Sequence, residues 1–292
     1  MRIVLVLGTL MAIVLAFLFV QNQWQEQKSG MHGQTTSQTV SSIFTQTQTL
    51  TDVSYSSDVN EKLDVYIPNN AENAPVIVMV HGVGSDKASD NVVTNKVNYW
   101  GPQGYIFVSI NYPTIPDATA DEQAQSVAAA LAYVQTEAST WNGNGNNMTV
   151  MGHSAGAYLV ALVSAKRTSY PNLRPWQGSI LLDSPSLDLV TLMKKDHLDI
   201  YDTVFGTNQT YWNENSPYYN LTAKTESLFV VCSSVRTASN CEQATAYVNK
   251  AKTLGTNATI YPVALQHRDI NINVGLANTQ YTADIDAFIK SL

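Results

Sequence analysis

The sequence predicts an α/β fold with a mostly parallel central sheet and helices on both of its faces. Three observations predict it. The runs Val76-Ile77-Val78-Met79-Val80, Ile106-Phe107-Val108-Ser109-Ile110 and Leu228-Phe229-Val230-Val231 are almost wholly apolar, as strands buried on both faces are in parallel sheets. Helix-like stretches alternate with them, the clearest being the alanine-rich residues 121–136, and that alternation is the rhythm of βαβ units. Finally, Gly152-His153-Ser154-Ala155-Gly156 stands between a β-like run, Met148-Thr149-Val150-Met151, and an apolar helix-like run over 157–163, the strand, sharp turn and helix of a nucleophile elbow.

Taken in order, the chain opens with Met1-Arg2 and an uninterrupted apolar stretch over 3–20, about 27 Å long if helical and close to the thickness of a bilayer core. No small-x-small cleavage site follows it and no cysteine stands nearby to take a lipid, which favours an uncleaved signal anchor over a removable signal peptide. Either reading implies export, with the protein membrane-anchored and facing the periplasm or cell exterior, or secreted if the segment is cleaved. Residues 21–50 are dominated by Gln, Thr and Ser without periodicity and are expected to be a flexible linker. Residues 51–292 are then one catalytic domain, the size that 292 residues at 45% hydrophobic content support.

Within it, Leu63-Asp64-Val65-Tyr66-Ile67 alternates and stops at Pro68, a half-exposed strand giving the sheet an antiparallel start. A helix is expected over 90–100, and residues 142–147, Asn-Gly-Asn-Gly-Asn-Asn, read as a loop feeding the elbow strand. After the elbow come a strand at Ser179-Ile180-Leu181-Leu182, a helix over 187–195, and an aromatic, polar stretch over 201–219 with no clean period that suits part of a cap. A helix over 242–254 and a last strand over 259–265 follow, the proline at 262 fitting a sheet edge. A helix over 282–289 closes the chain.

Composition excludes some partners. The net charge of −7 comes with no basic block, so nucleic acid is not an expected partner. Cys232 and Cys241, nine apart, could bridge across one loop in an oxidising compartment. Two cysteines without neighbouring histidines fall short of a metal site.

Ser154 is the candidate nucleophile, because a serine on so tight a turn needs almost no side chain two positions before and after it, and Gly152 and Gly156 meet that demand. Of His32, His81, His153, His197 and His267, only His267 follows the final strand, so it is the candidate base, with His197 the weaker alternative. His153 is expected to pack. A tetrahedral oxyanion needs converging N–H donors; Ala155 supplies one by position, and Gly82, Val83 and Gly84, after the strand ending at Val80, are the remaining candidates. The candidate acid is Asp183, at the end of the 179–182 strand, preferred over the alternative Glu242, just beyond a loop after 228–231 that holds no Asp or Glu.

These residues resemble the α/β-hydrolase superfamily, and more closely its bacterial carboxylesterase branch related to hormone-sensitive lipase and feruloyl esterases. The resemblance covers roughly 63–292 and rests on Leu63-Asp64-Val65-Tyr66-Ile67-Pro68, on His81-Gly82-Val83-Gly84 followed by Asp86-Lys87, on Gln103-Gly104-Tyr105 leading to Ser109-Ile110-Asn111-Tyr112, and on the elbow. It departs from the branch at Val83 and Ser85, where a glycine and an aromatic residue are usual, and at Pro113, where arginine is usual. An acid at Asp183 would resemble pancreatic-type lipases. The resemblance implies a serine hydrolase that cleaves small-molecule carboxylic esters through an acyl-enzyme, with no cofactor. Peptidase or thioesterase activity would use the same parts, and an inactive hydrolase-like binding module is the alternative from another class.

Overall fold

Alternate residues of one apolar strand face opposite cores. Val76, Val78 and Val80 belong to one buried cluster, Ile77 and Met79 to a second, as the two-residue period of a strand requires. The computed structural model describes residues 47–83, 87, 90–236 and 240–292, and in these the strands form a single sheet in the order β1-β2-β4-β3-β5-β6-β7-β8. The strands are β1 (Thr47–Ser54), β2 (Lys62–Pro68), β3 (Ala74–Val80), β4 (Ile106–Ile110), β5 (Gly143–His153), β6 (Gly178–Leu182), β7 (Ser227–Ser233) and β8 (Ala258–Val263). β2 pairs antiparallel with β1 and β4, and every other pairing is parallel. The antiparallel start and the proline-bearing edge strand β8 match the sequence expectation.

Helices cover both faces. One cluster receives α1 (Asp90–Trp100) through Val93, Val97 and Trp100. The other receives α2 (Ala120–Glu137) through Ala124, Val127 and Leu131, and the elbow helix α3 (Ala155–Ala165) through Leu159 and Val163. α2 starts at a capping box in which Thr119 and Glu122 satisfy each other's backbone N–H groups.

Several expectations need correction. Residues 47–50, assigned to the linker, are strand, because Leu50 and Val53 pack against the core while Gln48, Thr49, Thr51 and Asp52 face water. The rest of the linker and the apolar segment over 3–20 lie outside the described residues. Residues 143–147 are not a loop but the bulged start of β5, whose register shifts against β3 between Ala74 and Val76. Glycine is required there: a Cβ on Gly145 would stand 2.1 Å from the Gln135 carbonyl oxygen. The helix expected over 187–195 shortens to α4 (Leu189–Met193), since Asp188 caps it by accepting the Thr191 N–H at 3.0 Å.

The unperiodic 201–219 stretch forms α5 (Asp199–Phe205), α6 (Gln209–Asn215) and α7 (Pro217–Asn220). Its Tyr201, Tyr211, Trp212 and Tyr218 pack against the main core, and Tyr158 of α3 donates to the Asn215 carbonyl at 2.8 Å. Three further helices, α8 (Asn240–Thr253), α9 (His267–Ile272) and α10 (Gln280–Lys290), complete the chain.

Candidate active site

β5 ends at His153, and the chain reverses through Ser154 at φ 57°, ψ −118° into α3. A side chain in that left-handed conformation is strained and needs over-determined surroundings. The surroundings are tight: a Cβ on Gly156 would lie 2.2 Å from the Val80 oxygen, and one on Gly152 would lie 2.5 Å from the Gly156 oxygen. The Ser154 N–H donates to the Leu182 carbonyl at 2.9 Å. The turn is thereby pinned to the neighbouring strand.

His267 opens α9. Its Nε2 lies 3.0 Å from Ser154 Oγ and its Nδ1 2.7 Å from Asp183 Oδ2. Asp183 follows β6 at φ 51° and is fully buried. Its Oδ1 accepts the Ser233 N–H at 2.9 Å, and its Oδ2 also accepts from Arg236 at 2.7 Å. A buried carboxylate needs such donors, because an uncompensated charge in the interior is very costly.

The imidazole is held from behind. His153, its ring centroid 4.6 Å from that of His267, donates from Nε2 to the His267 carbonyl at 2.9 Å. Burial, with His267 close by, pushes the His153 imidazole down to about 3, so it stays neutral and serves as packing and tether. At the other end of α9, Asn95 and Lys96 of α1 donate to the Ile272 and Asn271 carbonyls, each at 2.8 Å. Burial lowers the Lys96 ammonium to about 7.

Next to the nucleophile, Gly82 is so close that a Cβ on it would stand 3.0 Å from Ser154 Cβ. The base of its loop is fixed by Tyr112, whose hydroxyl donates to the His81 carbonyl at 2.8 Å. Ala155 is the first residue of α3, where a backbone N–H has no partner within the helix. Val83 is exposed. Gly84 lies outside the described residues.

A family model described as BD-FAE matches residues 63–204, just under half of the chain. The fold is shared with esterase B from Lactobacillus rhamnosis, at TM-score 0.69 and 16% identity, covering 94% of this chain and 93% of that one. The chain has the α/β-hydrolase fold. Among curated proteins the chain is similar to the kynurenine formamidases of Salmo salar, 27% identical over 151 residues, and Danio rerio, 29% identical over 143 residues. Those matches cover 50% and 47% of this chain and 49% and 46% of the relatives, so the chain spans about half the length of the curated relatives it matches.

The structure brings Ser154, His267 and Asp183 together. It removes Glu242 from that group: the side chain is 77% exposed on α8 and faces Lys195 at 3.9 Å. The reason is positional, since α8 carries it away from the strand ends into solvent. His197 is likewise elsewhere, bonded to the Lys195 carbonyl and Asp202. His32 lies outside the described residues. Cys232 and Cys241 are disulfide-bonded. Sequence reading missed Ser233 and Arg236 as partners of Asp183. The available signal was an arginine inside a cysteine-bracketed loop directly after a core strand.

Proposed function

We propose that this α/β-hydrolase cleaves small carboxylic esters through an acyl-enzyme. The observation that carries the reading is the continuous relay from Ser154 Oγ to His267 Nε2 at 3.0 Å and from His267 Nδ1 to buried Asp183 at 2.7 Å. In that relay Nδ1 donates to the carboxylate, leaving the Nε2 lone pair to take the serine proton as Oγ attacks the acyl carbon. The protonated imidazole then delivers the proton to the leaving alcohol, and water repeats the sequence to release the acid. The Ala155 N–H, with donors from the loop that begins at Gly82, would hold the oxyanion.

The esterase-type family match over 63–204 supports the ester class. The likeness to kynurenine formamidases favours a second reading, hydrolysis of a small amide by the same groups. The test is labelling of Ser154 by a fluorophosphonate, with turnover of short-chain aryl esters and aryl formamides compared in wild type and Ser154→Ala. Labelling and turnover lost together in the variant support the reading. An unlabelled wild type favours the inactive binding module, and retained turnover in the variant removes Ser154 as nucleophile.

Export is part of the same reading, supported by the apolar run over 3–20 and by the Cys232–Cys241 disulfide, which suits an oxidising compartment. Among the described residues no helix is long and apolar enough to cross a membrane. Fractionation of the full chain, with and without residues 1–20, tests anchoring against secretion.

A further inference from the structure

The loop after β7 does more than cover the sheet end. Ser233 gives its N–H to Asp183 Oδ1 and its hydroxyl to the carbonyl of Leu265, two residues before His267, at 2.9 and 2.7 Å. The Cys232–Cys241 bridge closes the loop around Arg236. From there one guanidinium nitrogen of Arg236 reaches Asp183 Oδ2 at 2.7 Å and lies 3.0 Å from His267 Nδ1. A guanidinium has no acceptor. With Nδ1 protonated, as the relay requires, the two nitrogens are both donors sharing one carboxylate oxygen.

Two consequences follow for the reaction. The carboxylate, gripped at both oxygens, cannot rotate away from the imidazole. When His267 takes the serine proton, its new positive charge forms beside the guanidinium, and like charges at that range oppose each other. Among the described residues other titratable groups surround this pair, including Arg268 on the histidine's own helix and Tyr281 of α10, which lies within electrostatic reach of Asp183. His153 from the elbow is neutral, Tyr201 of α5 lies within electrostatic reach of Asp183 and Arg236, Lys96 of α1 acts on His153 from behind, and Asp269 sits on the histidine's own helix.

We propose that Arg236 is a positioning residue that holds the Asp183 carboxylate against His267 and, through its charge, sets the lower pH boundary of activity. The proposal rests on the serine-hydrolase reading. Removing the cation eases protonation of the imidazole, so activity is lost at higher pH. In Arg236→Gln the acid limb of the pH–rate profile should move up by about one pH unit, from the size of shifts that a charge at contact produces. Arg236→Lys keeps the charge and should leave the limb close to that of wild type, while losing about tenfold on the plateau because a flexible ammonium holds the Asp183 carboxylate less rigidly than the planar guanidinium.

The experiment reads the rate of fluorophosphonate labelling at Ser154 across pH for wild type, both Arg236 variants and the Cys232→Ser/Cys241→Ser double variant, which frees the loop without altering Arg236. An upward shift in Arg236→Gln that Arg236→Lys reverses supports the proposal. Unshifted limbs in a folded Arg236→Gln overturn it and reduce Arg236 to a loop anchor. If that variant does not fold, the cysteine variant decides: an upward shift supports the proposal and an unmoved limb overturns it. A wild-type Ser154 that never labels defeats the hydrolase reading itself, and this proposal with it.

Discussion

Replacing Asp183 with Asn tests the relay at its most constrained point. The carboxylate is fully buried and accepts three donors: Ser233 N–H on Oδ1, and Arg236 and His267 Nδ1 on Oδ2, at 2.9, 2.7 and 2.7 Å. An amide of the same shape keeps one acceptor. If its oxygen stays toward Ser233, its NH2 group confronts two donors, and His267 relieves the clash by carrying its proton on Nε2. That tautomer points an N–H at Ser154 Oγ and cannot take the serine proton. If the amide flips, its NH2 meets the fixed Ser233 N–H, which costs about 1–3 kcal/mol as a buried unsatisfied donor. Loss of the correct tautomer in a serine triad costs about 10⁴ in kcat, or about 5.4 kcal/mol at 1.36 kcal/mol per tenfold. A fall of about 10³ to 10⁴ in kcat on an aryl ester is therefore expected, with folding retained by circular dichroism. A folded variant within tenfold of wild type would refute the argument, because an acid that can be neutralised at so little cost is not orienting the histidine.

Other outcomes follow from the same geometry. Gly156→Ala forces a Cβ to within 2.2 Å of the Val80 oxygen, so the elbow must shift; at least a hundredfold loss of activity and a destabilisation of about 1–3 kcal/mol are expected from overpacking against backbone, read by aryl-ester turnover and thermal melting. Glu242→Ala, altering an exposed side chain away from the relay, should leave kcat within twofold of wild type. Lys96 is fully buried, with its ammonium lowered from the ordinary 10.5 to about 7. The unfolded chain then binds more protons than the folded one between about pH 7 and 10.5, so this residue makes stability rise with pH across that window. Denaturant melts at several pH values should show that slope shrinking in Lys96→Met.

What could be read in the sequence divides along a physical line. Strands buried on both faces announce themselves as apolar runs, and β3, β4 and β7 fall where those runs lie. The elbow is legible because its glycines answer a local steric demand. β1 is not, since an edge strand wet on one side keeps its threonines and a glutamine. The start of β5 was hidden for a related reason: its Gly and Asn residues have the composition of a turn, while Gly143 and Gly145 are there to let other atoms approach closely. The sequence favours Asp183 over Glu242 only narrowly because both follow a strand, and only pairing of the strand ends separates a buried carboxylate from one in solvent. Arg236 left no periodic trace. Its partners stand 53 and 31 residues away, and tertiary closure alone brings them together.

The placement of Asp183 and the presence of Arg236 are two sides of one arrangement. His153 at the end of β5 is in register with Leu182, and Leu182 with Val231, so Asp183 lies on the strand next to the nucleophile's, flanked by the end of β7. A carboxylate placed there is enclosed on both sides and has no route to water, unlike one on an outer loop. Its charge must be matched by protein groups, and the loop after β7, which carries no acid of its own, supplies them through Ser233 and Arg236. With the acid placed after β6, the β7 loop carries a cation and no carboxylate. The same cation ends up 3.0 Å from the imidazole, so the residue that compensates the buried acid also acts on the charge that His267 acquires during the reaction.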